Sequence, residues 1–402
     1  MIRIIAAAGC VCTTVSAAFA ADFAVCREAD RLVVTAGDEP VAAFVFADPA
    51  VGRPAIRDLA APGGTVVTRP CPPRQGVDAD DHATMHPGLW LGFSDLSGAD
   101  PWRHKTAVRF AGFDGEPAVV DGVARFTAKI EYLAAAADTP DTPVACRERS
   151  SVSIRDRVID GFPVRILLWE AELAPGGNKP LIFGDTEEMG FGLRVATPLS
   201  PARGGRYVAS HGGVNEKGIF GRAAAWVDAS GTIDGRRVGA AVIDLASNPR
   251  EPFFHARDYG LVLANAFGRQ AYGAKDPPPP ITVEPGKSLR LEYAILLHGD
   301  VPDEQLAGLV ARVREEIENA PAAKQGVRHA QPLAQEYTVV HRTPDDPDPA
   351  QSICVGSPDL LRLPDGRLLA SMEYWLKRPT SGDEGGVEYR RHCKIKASDD
   401  GG

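Results

Sequence analysis

Residues 81–90, Asp-His-Ala-Thr-Met-His-Pro-Gly-Leu-Trp, place two histidines four apart beside two acids, Asp80 and Asp81. On a helix, His82 and His86 would share a face and could hold one zinc ion. Pro87 opposes that helix, because a proline pushes the residue before it, His86, out of the α region. On a strand the two rings would stand about 13 Å apart, too far for one ion. The stretch therefore reads as a loop lining a site and not as a two-histidine metal centre. The remaining chemistry open to histidine beside a carboxylate is proton transfer. No metal or other cofactor is expected, although a divalent ion shared by one of these histidines with His255 and a carboxylate stays open.

The elements that must position such residues are mostly strands. The runs 31–36, 41–46, 106–113, 123–133, 151–159, 164–173, 238–246 and 289–298 are short and β-rich, and several alternate apolar with polar side chains. In 123–133, Phe126, Ala128 and Ile130 alternate with Thr127, Lys129 and Glu131, as expected of a half-buried antiparallel strand. Turn sequences separate the runs, and helices do not, so the expectation is an all-β antiparallel sandwich. Residues 302–320 carry Leu306, Leu309, Val310, Val313 and Ile317 at helical spacing, and predict one helix closing that domain. The expected organisation is a leader over 1–20, a sandwich over 21–300, a helix and linker over 301–335, and a new pattern from 336 to 402.

The leader expectation rests on Arg3, the apolar run after it and the small-x-small site Ala18-Phe19-Ala20, which together read as a secretory signal peptide. A lipoprotein reading through Cys10 has a short apolar stretch before it. The chain is thus expected to be exported, periplasmic or extracellular. No later segment reaches the roughly 20 apolar residues of a membrane span. Cys26, Cys71, Cys146, Cys354 and Cys393 contain no CxxC pair, and an oxidising compartment would permit a bridge among the first three. A net charge of −9 in 402 residues argues against a nucleic-acid partner. The run Gly-Phe-Gly-Leu-Arg-Val-Ala at 190–196 lacks the lysine and spacing of a phosphate-binding loop.

Four longer runs, 81–108, 184–199, 215–231 and 253–269, resemble in content and order the bacterial family labelled "PmoA", a domain of unknown function. Residues 357–375 and the closing Ser-Asp-Asp-Gly-Gly at 398–402 look like the first blade and Asp-box turn of a sialidase-like β-propeller. That resemblance implies a longer protein, since one blade cannot close a propeller. Gly356-Ser357-Pro358 stands where a sialidase has Arg-Ile-Pro, so its carboxylate-binding arginine is missing.

The four runs supply the candidate site. The first gives His82, His86, Trp90 and Asp95; the second Glu188 and Arg194; the third Trp226 and Asp228; the fourth His255, Arg257 and Asn265. Brought together they would form a saccharide pocket, with hydrogen-bonding groups for hydroxyls and tryptophan against a sugar ring. His86, His255 and Glu188 are the expected acid–base groups, and the others the substrate-binding ones. Glu187 and Glu188 would face opposite sides of a strand, and Glu188 is the one placed in the site. Arg257–Asp258 could equally be a structural pair, and Asp228 a turn residue. The fold-level analogy is to the galactose-mutarotase-like supersandwich. The function expected is a carbohydrate-active one, glycoside hydrolase or sugar epimerase-like, with a non-catalytic sugar-binding or structural module as the alternative.

Overall fold

A computed structural model of the chain describes residues 22–319 and, for the backbone alone, 352–362, 368–379 and 387–398. The expected leader, the linker and the closing Asp-box residues 399–402 lie outside the described residues. The chain divides into two compact units, residues 1–320 and 321–402.

The first unit is built on two nine-stranded antiparallel sheets. The first sheet runs, edge to edge, Phe23–Arg27, Arg31–Ala36, Glu39–Val45, Ala55–Arg57, Leu89–Phe93, Met189–Arg194, Leu261–Asn265, Phe253–Arg257 and Arg222–Ala223. The second runs Arg206–Ala209, Trp226–Ile233, Arg236–Asp244, Leu289–His298, Phe162–Pro175, Val144–Ile159, Val123–Leu133 and Val108–Phe113, with Ala118–Val120 also on Val123–Leu133. Side chains of both sheets share one core: Phe44 against Phe126, and Phe191 between Trp169 and Tyr293. Alternation explains this packing, since Phe126, Ala128, Ile130 and Tyr132 turn inward from one strand.

Three hairpins of the second sheet turn on Asp121-Gly122, Asp160-Gly161 and Asp234-Gly235. Both residues of each pair have positive φ, the geometry of a two-residue primed turn. The helix Asp303–Glu318 belongs to this unit. Its Leu306, Leu309, Val310 and Val313 cover the outer face of the second sheet, over Val164, Ile166, Ala241, Ile243 and Leu296. Each such burial contributes about 1.5–3 kcal/mol. Cys26, Cys71 and Cys146 are free thiols, so the bridge allowed by the sequence is not formed among them.

The second unit's described strands, Ser352–Arg362, Leu368–Pro379 and Val387–Ser398, form a three-stranded antiparallel sheet. No closed propeller is found among the described residues, and the sialidase-like assignment is withdrawn.

Candidate functional site

Along the middle of the first sheet, inward residues alternate with a polar and aromatic outer row. Leu89, Leu91, Phe93, Phe191, Leu193, Val262, Ala264, Phe254 and Ala256 enter the shared core. Trp90, Gly192, Leu263 and His255 lie side by side on the opposite face, one per strand. Arg194, Leu261 and Arg257 form the next row. The glycines here make space for indole. A Cβ on Gly192 would lie 2.8 Å from Trp90 Cζ2, and one on Gly92 would lie 3.1 Å from Trp102 Cε3. Gly192→Ala is accordingly expected to cost about 1–3 kcal/mol through overpacking, read as a lower urea midpoint at unchanged slope.

Over this face folds the loop 79–86, wound around Arg69. The Arg69 guanidinium is buried and donates to the carbonyls of Ala79 and Asp81, both at 2.8 Å, and of His82 and His86 at 3.3 and 3.4 Å. The His86 N–H closes a turn on the His82 carbonyl, and His82 itself has φ of 51°. The stretch is thus neither helix nor strand, and the two rings stack face to face at 4.5 Å. His82 stacks further on Tyr259, and His86 on Trp90.

Asp81 is the hub of the loop. Arg194 donates to it through both terminal nitrogens at 2.9 Å, and His82 Nδ1 lies 2.9 Å from its second oxygen. Burial pushes the Asp81 carboxyl up, but the hydrogen bonds from Arg194 and His82 and the charge of Arg69 outweigh it and hold it well below the carboxylate range. A carboxylate only accepts, so His82 carries a proton on Nδ1, and in the neutral ring Nε2 is then the acceptor. The His82 side chain is 34% exposed.

The other half of the site is a pair of interlocked loops. Asn265 donates to the carbonyls of Thr186 and Glu187 and accepts from the N–H groups of Phe267 and Gly268. Tyr272 also donates to the Glu187 carbonyl, while Asp185 accepts from the N–H groups of Arg269, Gln270 and Ala271. This fixes Glu187 with its carboxylate 3.7 Å from His255 Nδ1, a nitrogen that is buried without a hydrogen-bond partner. Burial, then the charges of Arg257 and His82, press the His255 imidazole down to about 3, so it is neutral at pH 7. Arg257 is paired with Glu216 at 2.9 Å, and Glu188 with Arg103.

The structure thus brings His82, His255, Arg194, Arg257 and the Glu187–Glu188 loop to one outer face, with Asn265 buried behind that loop. Several expectations are corrected. His86 is buried between the His82 and Trp90 rings, with both ring nitrogens unpartnered, and so lies behind the surface on which a substrate would sit. Trp90 likewise is fully buried and is packing, not a sugar platform. Glu187, not Glu188, faces His255, because both sit in a loop ahead of the strand and strand parity does not apply. Asp95 accepts from the N–H of Gly98 in a turn. Trp226 and Asp228 are on the second sheet, under the C-terminal helix, on the far side of the sandwich.

There Asp228 binds His298 Nε2 at 3.0 Å, and His298 Nδ1 lies 2.9 Å from the Gly299 carbonyl. Although burial lowers it, the Asp228 carboxylate and that carbonyl raise the His298 value above the ordinary one. Its stabilisation is therefore complete below about pH 6.5 and is lost as pH rises through the raised folded value. His86 and His255 act oppositely. Burial, with the charges of His82 and neighbouring arginines, puts His86 well below 6.5, as it does His255. The unfolded chain binds protons there that the native state refuses, so stability falls as pH drops from about 6.5 toward 4, by up to about 1.4 kcal/mol per pH unit for each ring. His255→Gln is expected to remove one such increment from the slope of urea stability against pH.

Fold and site together define an antiparallel β-sandwich with a histidine–carboxylate face built from neighbouring strands of one sheet and their loops. The chain belongs to DUF6807, a family of unknown function, whose model matches residues 31–311. This overturns the PmoA resemblance, and the match stops short of the residues likened to a propeller. No curated protein matches the chain. Among solved structures it is similar to a galactose mutarotase-like protein from Clostridium acetobutylicum, at 8% identity and a TM-score of 0.32, over 69% of this chain and 95% of that one. A likeness that distant says nothing of the chemistry on the outer face.

Proposed function

We propose that this outer face is a saccharide site that performs acid–base chemistry, in an exported protein with a supersandwich of the galactose-mutarotase type. The observation that carries the reading is the Arg194–Asp81–His82 relay. A buried guanidinium fixes a carboxylate, and the carboxylate fixes the tautomer and orientation of an imidazole that is one-third exposed. That is the arrangement of a general base with its orienting group. His82 Nε2 would take a proton from a sugar hydroxyl.

His255, held neutral, would serve as a hydrogen-bonding group at the oxygen where charge develops, with Glu187 beside it. In this reading both His82 and His255 would act on a single sugar ring. Epimerisation at the anomeric carbon and glycoside hydrolysis both need such a base.

The test is a thermal-shift screen of residues 21–320 with mono- and oligosaccharides, followed by polarimetry and reducing-end assays on those that stabilise. A shift with a sugar, diminished in the His255→Gln variant, supports the reading. Absence of a shift with every saccharide at millimolar concentration would refute it, because a ligand at a hundredfold excess over Kd stabilises by about 2.7 kcal/mol. A sugar that binds and is never turned over would make the face a binding module.

A further inference from the structure

The arginines that line this face already face carboxylates, and one carboxylate left without such a partner points to the kind of sugar. Arg194 is bidentate on Asp81, with Arg69 beside the same carboxylate. Arg103 pairs with Glu188 and Asp100, and Arg257 with Glu216. Each of these four guanidiniums therefore already faces a carboxylate, and a substrate carboxylate would have to displace one of those acids.

Glu187 differs. Its side chain is 43% exposed, and its neighbour is the His255 ring at 3.7 Å, outside hydrogen-bond distance. Among the described residues, no lysine or arginine pairs with it. Its backbone is held on both sides, by Asn265 and Tyr272 on its carbonyl and by Asp185 two residues before it. The carboxylate is thus a fixed negative group at the edge of the site. A second observation comes from His255 itself: its side chain is only 7% exposed, and its Nδ1 has no partner. Among the described residues, the protein alone leaves both the Glu187 carboxylate and the His255 Nδ1 without a hydrogen-bond partner, and a cationic donor at this edge would satisfy the carboxylate.

We propose that the site selects a saccharide bearing an ammonium group, an amino sugar, whose nitrogen sits on the Glu187 carboxylate. This rests on the saccharide reading above and deepens it. Neutral sugars can bind through hydroxyl donors to the same oxygen, but more weakly. Uronic acids are disfavoured, because they bring a like charge toward Glu187 and find Arg194, Arg103 and Arg257 already paired.

The experiment compares three matched probes, glucosamine, glucose and glucuronate oligosaccharides of equal length, by calorimetry at pH 6 against the wild-type protein and Glu187→Gln. A half-exposed ion pair is worth up to about 1 kcal/mol, so the amino series should bind about fivefold tighter than the neutral one. The acidic series should bind most weakly, and Glu187→Gln should bring the three together. Because Glu187 is half-exposed, that variant is expected to keep the wild-type melting temperature, which serves as its folding control. Equal or tighter binding of the acidic series, or an amino preference that survives Glu187→Gln, overturns the proposal and leaves the saccharide reading standing. If none of the three series binds, the saccharide reading falls and this inference falls with it.

Discussion

Asp81→Asn should destabilise the protein by about 3–5 kcal/mol, the cost of removing one partner from a buried ion pair. The buried members are the arginines. Arg194 and Arg69 are each 1% exposed at the side chain, and both look to this carboxylate for their counter-charge. An asparagine of the same shape keeps at most part of the hydrogen bonding and leaves two guanidiniums uncompensated. The reverse substitution, Arg194→Met, should cost less, because Asp81 is one-third exposed and can be hydrated when its partner is gone. Urea unfolding of both variants and of the double variant checks this. The double variant should lose less than the sum of the two single losses. Acid adds a second reading. The Asp81 carboxyl is depressed in the fold, so its contribution is present above its unfolded value near 3.9 and disappears as pH falls through the folded one. In Asp81→Asn that part of the acid transition should be missing. A loss below about 1 kcal/mol would mean that the Arg69 carbonyl contacts alone hold the loop.

The strands legible in the sequence are those with one face on the core and one toward water. The runs 31–36, 123–133 and 289–298 coincide with strands Arg31–Ala36, Val123–Leu133 and Leu289–His298, and the expected helix with Asp303–Glu318. The strands that build the site were not legible in this way. Leu89–Phe93, Met189–Arg194 and Leu261–Asn265 are buried on both faces, since loops and indoles cover their outer side, and alternation is lost. Those stretches stood out only as polar-rich runs, of which three meet on one sheet. The third splits: Glu216, at its start, reaches Arg257, while Trp226 and Asp228 continue onto the opposite sheet. The choice between the two loop histidines also escaped the sequence. It depends on Arg69, more than ten residues away, which winds the loop so that His82 lies outward and His86 inward. Tyr259 was missed, although it comes just after Arg257-Asp258, and Asp81, noted beside His82, was not placed among the site residues. A carboxylate next to a histidine in a turn is a signal that strand and helix periodicities pass over.

His82→Gln is expected to lower turnover of the processed saccharide by about 10²–10⁴-fold, the usual contribution of a positioned general base. Glutamine can keep a hydrogen bond to Asp81 but has no nitrogen that can accept and release a proton at neutral pH. Because His82 is one-third exposed and stacks on Tyr259 and His86, loss of its ring should reduce stability by no more than about 1.5 kcal/mol. Catalysis and folding therefore separate in this variant, as they cannot in Asp81→Asn. Affinity for the sugar, measured by calorimetry, should change only a few-fold, so the loss falls on kcat and not on KM. His86→Gln makes the opposing case. That ring is buried away from the substrate face, so its replacement should cost stability through lost stacking and an unpaired amide, with kcat per folded molecule little changed. A turnover loss in His86→Gln matching that in His82→Gln would show that the inner ring takes part in proton transfer. Equal turnover in wild type and His82→Gln would remove His82 from the chemistry and leave Glu187 as the carboxylate base.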